Sequence, residues 1–186
     1  MLEINFHPFK NLETDRLLLR RVSVDDLQEV FALRSNPQAM KYIPRPLTTT
    51  EEEALAHIQM IDDKIVNNEG INWAITLKGE DRLIGIIGHY RLKPEHYRCE
   101  IGYMILPEYN GRGITTEAVK AVLTYGFDDL QMHSIEAVID PENIASERVL
   151  LKNGFVKEGH FIENEFYDGR FIDAAIFSLL KRNFKR

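Results

Sequence analysis

The sequence predicts an α/β protein in which helices pack on one mixed, splayed sheet, and three observations lead there. Segments of strand length alternate with amphipathic helices along the whole chain. Two short turns, Lys78-Gly79-Glu80-Asp81 and Tyr167-Asp168-Gly169-Arg170, each join two such strands into an antiparallel hairpin. Elsewhere a helix lies between successive strands, the arrangement that parallel neighbours require. The chain has 186 residues, 44% of them hydrophobic. It can bury one sizeable core, and residues 1–186 read as a single domain without repeats or low-complexity tracts.

Taken in order, residues 16–22 alternate polar and apolar like a first strand. Ser23 can cap a helix over 24–35, with Asp25 and Asp26 favourable in its first turn. Pro37, Pro44 and Pro46 mark an irregular connection. Thr50 starts a second helix, with Glu51, Glu52 and Glu53 completing a capping box. Residues 72–77 and 82–91 form the first hairpin, and 97–106 make a strand that enters a glycine-bearing loop. Beyond the loop, Val119, Val122, Leu123 and Phe127 recur at helical spacing down to Leu130. A strand over 134–139 and a helix over 143–153 follow, and strands at 156–166 and 171–180 close the chain. The total is about seven strands and about four helices.

Composition excludes several classes. No apolar run approaches the roughly 18 residues of a membrane span, and the first ten residues lack a signal peptide's basic start and apolar core. One cysteine rules out an internal disulfide framework, so the chain reads as cytoplasmic. The net charge of −6 argues against a nucleic-acid partner and suits a cationic one. His7, His57, His89, His96, His133 and His160 show no ligand spacing, so no metal site is read. Cys99 and Trp73 read as packed core.

The most informative stretch is 107–118, where a strand, a loop with Gly111 and Gly113, and a helix N-terminus make an anion site. Free N–H groups of the first helical turn point outward, and the helix dipole adds partial positive charge. The two glycines let the backbone approach a bulky anion, and Arg112 adds a full charge. It is not a dinucleotide fingerprint, because Thr116 stands where the third glycine belongs. Nor is it a P-loop, which needs a lysine here.

Read as Asn110-Gly111-Arg112-Gly113-Ile114-Thr115, the loop resembles the pyrophosphate loop of the GNAT N-acetyltransferases, Gln/Arg-x-x-Gly-x-Gly/Ala. Asn110 replaces the long polar residue and Thr115 the small one. The segment 140–155 resembles that superfamily's fourth motif, in which an Asn caps a helix ending in Gly-Phe beside the CoA arm. Its Asn143-x-x-Ser146 form is closest to the RimJ/RimL branch, as are the opening Leu12-Glu13-Thr14-Asp15-Arg16-Leu17-Leu18-Leu19-Arg20 and Glu100-Ile101-Gly102-Tyr103. The matches run in order from residue 12 to about 180.

The resemblance implies a GNAT-type splayed sheet, acetyl-CoA as cosubstrate, no metal and direct attack by an amine. It places CoA on Tyr103, Met104 and Ile105, whose backbone N–H groups would serve pantetheine and oxyanion. It also places CoA on Asn110, Gly111, Arg112, Gly113, Ile114, Thr115 and Thr116, and on Asn143 and Ser146. Glu100 is the expected base, acting directly or through a water, with Glu136 and Glu165 as weaker candidates. Its bland alternative is a strand Glu paired with Arg98 or a lysine, or simply solvated. The superfamily's usual Tyr, seven residues after the motif Asn, is here Leu150, so Ser146 either hydrogen-bonds CoA or the helix, or acts as the acid. The 36–47 loop, with Met40 and Tyr42, would line the acceptor pocket. Tyr109 and Phe127 are packing or adenine-side contacts.

The acceptor class implied is a primary amine. An α-amine of pKa roughly 7.7–8.0 is already about 10–20% neutral at pH 7, whereas a lysine near 10.4 is only about 0.04% neutral. A modest Glu therefore suits a protein N-terminus better than lysine. The alternatives are a polyamine, amino acid or antibiotic as acceptor, a non-catalytic acyl-CoA sensor, or a module for another nucleotide. A homodimer is compatible with the branch, although no long exposed apolar stripe announces one.

Overall fold

The structure is a computed structural model and describes residues 1–185. Its strands are β1 (Leu12–Glu13), β2 (Leu17–Arg21), β3 (Ile71–Leu77), β4 (Gly85–Lys93), β5 (Arg98–Ile105), β6 (Ser134–Ile139), β7 (Val156–Tyr167) and β8 (Arg170–Leu180). The α-helices are α1 (Leu27–Ser35), α2 (Pro37–Met40), α3 (Glu51–Val66), α4 (Ile114–Asp128) and α5 (Ile144–Lys152). All eight strands join one sheet in the order β1-β2-β3-β4-β5-β6-β8-β7.

Two elements exceed the sequence expectation. β1 is a two-residue rung, Leu12 on Leu19 and Glu13 on Leu18, too short for periodicity to reveal. α2 occupies the connection read as irregular: the Asn36 side chain accepts from the N–H of Gln38 and Ala39, and Pro37 takes the first position, where no N–H is needed. Two starts differ in detail. Ser23 makes its capping box with Asp26, but the first turn is 3₁₀ and α1 proper begins at Leu27. Thr50 accepts from Glu53 N–H, and the Glu53 carboxylate takes its strongest bond one residue earlier than a capping box requires, from Thr49 N–H at 2.7 Å.

Most neighbouring strands are antiparallel, and β5 with β6 is the parallel pair. That pair has three rungs only: Arg98 on Ser134, Cys99 on Ile135, Glu100 on Glu136. Past Glu100 the two strands part, while β5 stays paired to β4 as far as Ile105. The sheet therefore forks, and α4 follows β5 at the open end.

The core sits on both faces. On one, α4 packs over Trp73, His89, Cys99 and Ile135, all fully buried. Its apolar stripe, Val119, Val122, Leu123 and Phe127, is fully buried, and each such side chain contributes roughly 1.5–3 kcal/mol. Gly126 permits this approach, since a Cβ there would lie 2.7 Å from Ile135 and 2.9 Å from the His89 ring. His89 Nε2 donates to the Val122 carbonyl at 3.0 Å, which leaves Nδ1 facing the Cys99 thiol at 3.3 Å. On the other side α3 buries Ala54, Ile58, Ile61 and Ile65, spaced as one helical stripe, and α1 packs beside it.

Candidate active site

The loop entering α4 is shaped by two left-handed glycines, Gly111 at φ +74° and Gly113 at φ +76°. L-residues rarely adopt that conformation, and a Cβ on Gly111 would meet nothing within 4 Å. Gly113 is the N-cap and brings no side chain to the helix start, so the first-turn N–H groups of Ile114, Thr115 and Thr116 keep their outward donors. Ile114 is buried, so any contribution it makes is through its backbone. Arg112 lies over the Tyr109 ring, 5.3 Å from the centroid, which makes Tyr109 a support for that guanidinium. Asn110 is extended and donates its N–H to Pro107. An open cradle with uncommitted N–H groups and an adjacent cation fits a diphosphate. Phe127 is different: it is fully buried against Phe184, which excludes an adenine-side role.

The fork supplies a second set of donors. Leu106 N–H donates to Ile84 at 2.9 Å, and the Met104 carbonyl also points at β4, since a Cβ on Gly85 would lie 2.6 Å from it. Antiparallel pairing alternates, so residues 100, 102, 104 and 106 direct their backbone groups toward β4. Residues 103 and 105, beyond the last β6 rung, direct theirs into the open fork. Of the expected trio, Tyr103 and Ile105 present N–H groups to the gap. Met104 does not, and its N–H belongs to the β4 ladder.

Side-chain parity sorts the candidate catalytic groups onto opposite faces of β5. Tyr103 shares the face of Cys99 and reaches α5, where its hydroxyl meets Ser146 Oγ at 2.7 Å. Burial pushes the Tyr103 phenol up to about 12, so it stays protonated as a donor. Ser146 is 7% exposed and receives its position from Asn143, whose Oδ1 accepts from Ser146 N–H at 3.1 Å. That bond caps α5 and leaves the Asn143 Nδ2 for a ligand. The Asn153-Gly154-Phe155 ending is a helix stop: Gly154 is left-handed at φ +87°, and Phe155 and Gly154 donate N–H to Leu150 and Leu151. Asn153 also donates to Thr116 O at 3.4 Å, which ties α5 to the first turn of α4.

Glu100 lies on the opposite face, at the last paired rung before the fork, with its side chain 15% exposed. Its partner is Arg91, Nη1 to Oε2 at 2.8 Å, rather than Arg98. Arg98 instead grips Glu136 at 2.8 and 3.0 Å. Arg91 occupies a bulge in β4 with φ +44°, a feature with no sequence signal. Burial raises the Glu100 carboxyl above its ordinary value, and Arg91 offsets part of that rise. Glu165 is exposed and pairs with Arg45 at 3.6 Å, which links the 36–47 connection to β7. Met40 in that connection is 3% exposed and so packs inward, while Tyr42 lies beneath Lys41. Among the described residues, no group of three or more His, Cys, Asp or Glu could hold a metal ion. Among the described residues, no helix is long and apolar enough to cross a membrane.

A forked sheet beside a strand–loop–helix anion cradle is the architecture shared with solved acetyltransferases of the GNAT fold. Residues 16–156 match the family described as an acetyltransferase (GNAT) domain, and the chain belongs to that family, in its RimJ/RimL-like branch. It is an N-acetyltransferase. It is 37% identical over 173 residues to the Bacillus subtilis N-acetyltransferase YoaA, itself described as uncharacterized, covering 93% of this chain and 98% of that one. A solved GNAT-family acetyltransferase from Bacillus anthracis is similar at 31% identity and TM-score 0.82, covering 93% and 99% of the two chains. Spermidine N-acetyltransferase from Vibrio cholerae, solved with CoA and spermine, is similar at 25% identity and TM-score 0.80, covering 91% and 98%.

Proposed function

We propose that this protein moves the acetyl group of acetyl-CoA by direct attack onto a primary amine, with a protein N-terminal α-amine as the favoured acceptor. The observation that carries this reading is the fork that opens at the Glu100–Glu136 rung, with the α4 anion cradle at the end of the same strand. The diphosphate would rest on Gly111 to Thr116 and Arg112, and pantetheine would lie in the fork against Tyr103 and Ile105 N–H and Asn143 Nδ2. From the opposite face, Glu100 would take the amine proton as the amine attacks the thioester carbon. The N–H groups at the fork would hold the developing oxyanion.

Ser146 would hydrogen-bond the departing sulfur, backed by the Tyr103 hydroxyl. A phenol at about 12 is a poor proton source for a thiolate whose acid has pKa near 8.5, which favours hydrogen bonding over full proton transfer. The acceptor preference follows from the proton balance: a largely buried, Arg-paired carboxylate suits an amine that is already partly neutral at pH 7. A polyamine is the second reading, favoured by the likeness to the spermidine enzyme solved with spermine and by the chain's net charge of −6. The whole of 1–186 would act as one catalytic domain in the cytoplasm.

A thiol-release assay with acetyl-CoA tests this across three acceptor pools: basic N-terminal peptides, polyamines with amino acids, and aminoglycosides. Turnover concentrated in the peptides is expected. Turnover concentrated in polyamines would transfer the function to the second reading, and silence in all pools with CoA still bound would place the acceptor outside them, in a specific protein.

A further inference from the structure

The opening motif, residues 12–20, has no role in the chemistry above, yet one of its arginines reaches the anion loop. Glu117, in the first turn of α4, receives Thr14 Oγ1 at 2.5 Å, Arg16 N–H at 3.0 Å and Arg16 Nε at 2.7 Å, and pairs with Arg16 Nη2 at 2.6 Å. The remaining guanidinium nitrogen, Nη1, donates to the Arg112 carbonyl at 3.0 Å. We propose that Arg16 is a positioning residue for CoA, setting the orientation of the Arg112–Gly113 peptide and compensating the Glu117 charge beside the diphosphate. The inference rests on the reading that this loop receives the CoA diphosphate.

Two physical steps support it. The Arg112–Gly113 peptide is trans and planar, so its carbonyl and its N–H point in opposite directions. Holding the carbonyl toward Arg16 therefore turns the Gly113 N–H away from Arg16, where an anion can use it. Flipping this peptide rotates ψ of Arg112 and φ of Gly113, and Gly113, left-handed at φ +76° with no Cβ, offers little steric resistance at its end, so the peptide needs an external hold.

The second step is electrostatic. Helix preference favours an acidic residue in the first turn, but a carboxylate there competes for the same positive field that an anion needs. Burial would raise the Glu117 carboxyl, but the bonds from Thr14 and Arg16 outweigh it and hold it below its usual range. Glu117 is thus a fixed negative charge at the site, and Arg16 is its counterion.

CoA binding by titration calorimetry, with melting curves to confirm folding, tests this on wild type, R112A, R16M, R16K and R16M/E117Q. R16M should weaken CoA about tenfold and raise KM for acetyl-CoA in parallel, with kcat at saturation falling less than about threefold. Removing the orphaned carboxylate should restore part of that affinity, so R16M/E117Q binds CoA more tightly than R16M. A purely structural role would not produce this order. R16K keeps the charge but not the fork geometry, and should bind between R16M and wild type. Wild-type CoA affinity in R16M while R112A is weakened would overturn the inference alone. Equal affinity in R112A and wild type would overturn the placement of the diphosphate itself. Should R16M fail to fold, R16K decides: weakening of about threefold or more supports the positioning role, and unchanged affinity removes it.

Discussion

Glu100 is held by two opposing influences, burial and Arg91, and the balance leaves its carboxyl above the ordinary value of about 4.3. A base works only when ionised, so kcat/KM should fall on the acid side with a limb above that ordinary value. Glu100→Gln should abolish this limb, cut turnover by roughly 10²–10⁴-fold and leave CoA affinity nearly intact. Unchanged turnover would remove Glu100 from the mechanism. Arg91→Met removes the lowering influence, so the limb should move to higher pH; a limb that stays in place would show that Arg91 does not set it. Legibility at this scale is uneven. Motif spacing brings Glu100, Ser146 and Asn143 forward as candidates, but the Arg91 partner of Glu100 depends on a bulge that no local pattern announces. The Tyr103 side chain was legible only as a strand residue, because its contact with Ser146 spans 43 positions.

At the scale of elements, α5 is held by its ends. Asn143 caps its start, and the left-handed Gly154 with Phe155 stops it. Asn143→Ala should cost about 1 kcal/mol of stability in urea unfolding through the lost cap. The same change should raise KM for acetyl-CoA, since Ser146 N–H loses the acceptor that positions it. A stability loss with unchanged KM would make Asn143 a cap and nothing more. Some boundaries follow local chemistry closely: β6 spans the expected 134–139, and the Asn-Gly-Phe ending stops α5 where expected, whereas β4 begins at Gly85 and not at 82, so the 78–81 turn is part of a longer connection. The misses, α2 and β1, are elements too short for periodicity to signal, and tertiary contacts sustain them. That the Glu53 carboxylate bonds Thr49 N–H most closely is likewise a matter of chain geometry before the helix.

For the whole molecule, the buried contact between α4 and the sheet carries a titratable group. His89 is fully buried, and burial lowers its pKa to about 4 despite the bond to Val122. The unfolded chain, with a His near 6.5, binds this proton more readily, so stability rises with pH through this window. The stabilisation is complete above about 6.5 and is lost as pH falls toward about 4. Between pH 7.5 and 5 the His89 share of the loss should be about 2 kcal/mol in urea unfolding. His89→Gln should make the slope shallower by that share, the rest belonging to groups such as His57, which burial also lowers to about 4. An equal slope in the variant would assign acid sensitivity elsewhere.

By itself the sequence determined what local chemistry encodes: the helix caps and stops, the hairpin turns, the hydrophobic periods, and the glycine-shaped anion loop at a helix start. Those features carry the family, because each is a pattern of neighbours within about a dozen residues. The tertiary structure decided what depends on distant segments meeting. It ended the β5–β6 ladder at Glu100, turned Met104 N–H into the β4 pairing, sent Phe127 into the core and brought Arg16 to the α4 loop. Register and parity are set by packing across the whole sheet, and a one-residue slip would exchange every face. No stretch of sequence states which strand stops pairing, and that stop is what opens the fork.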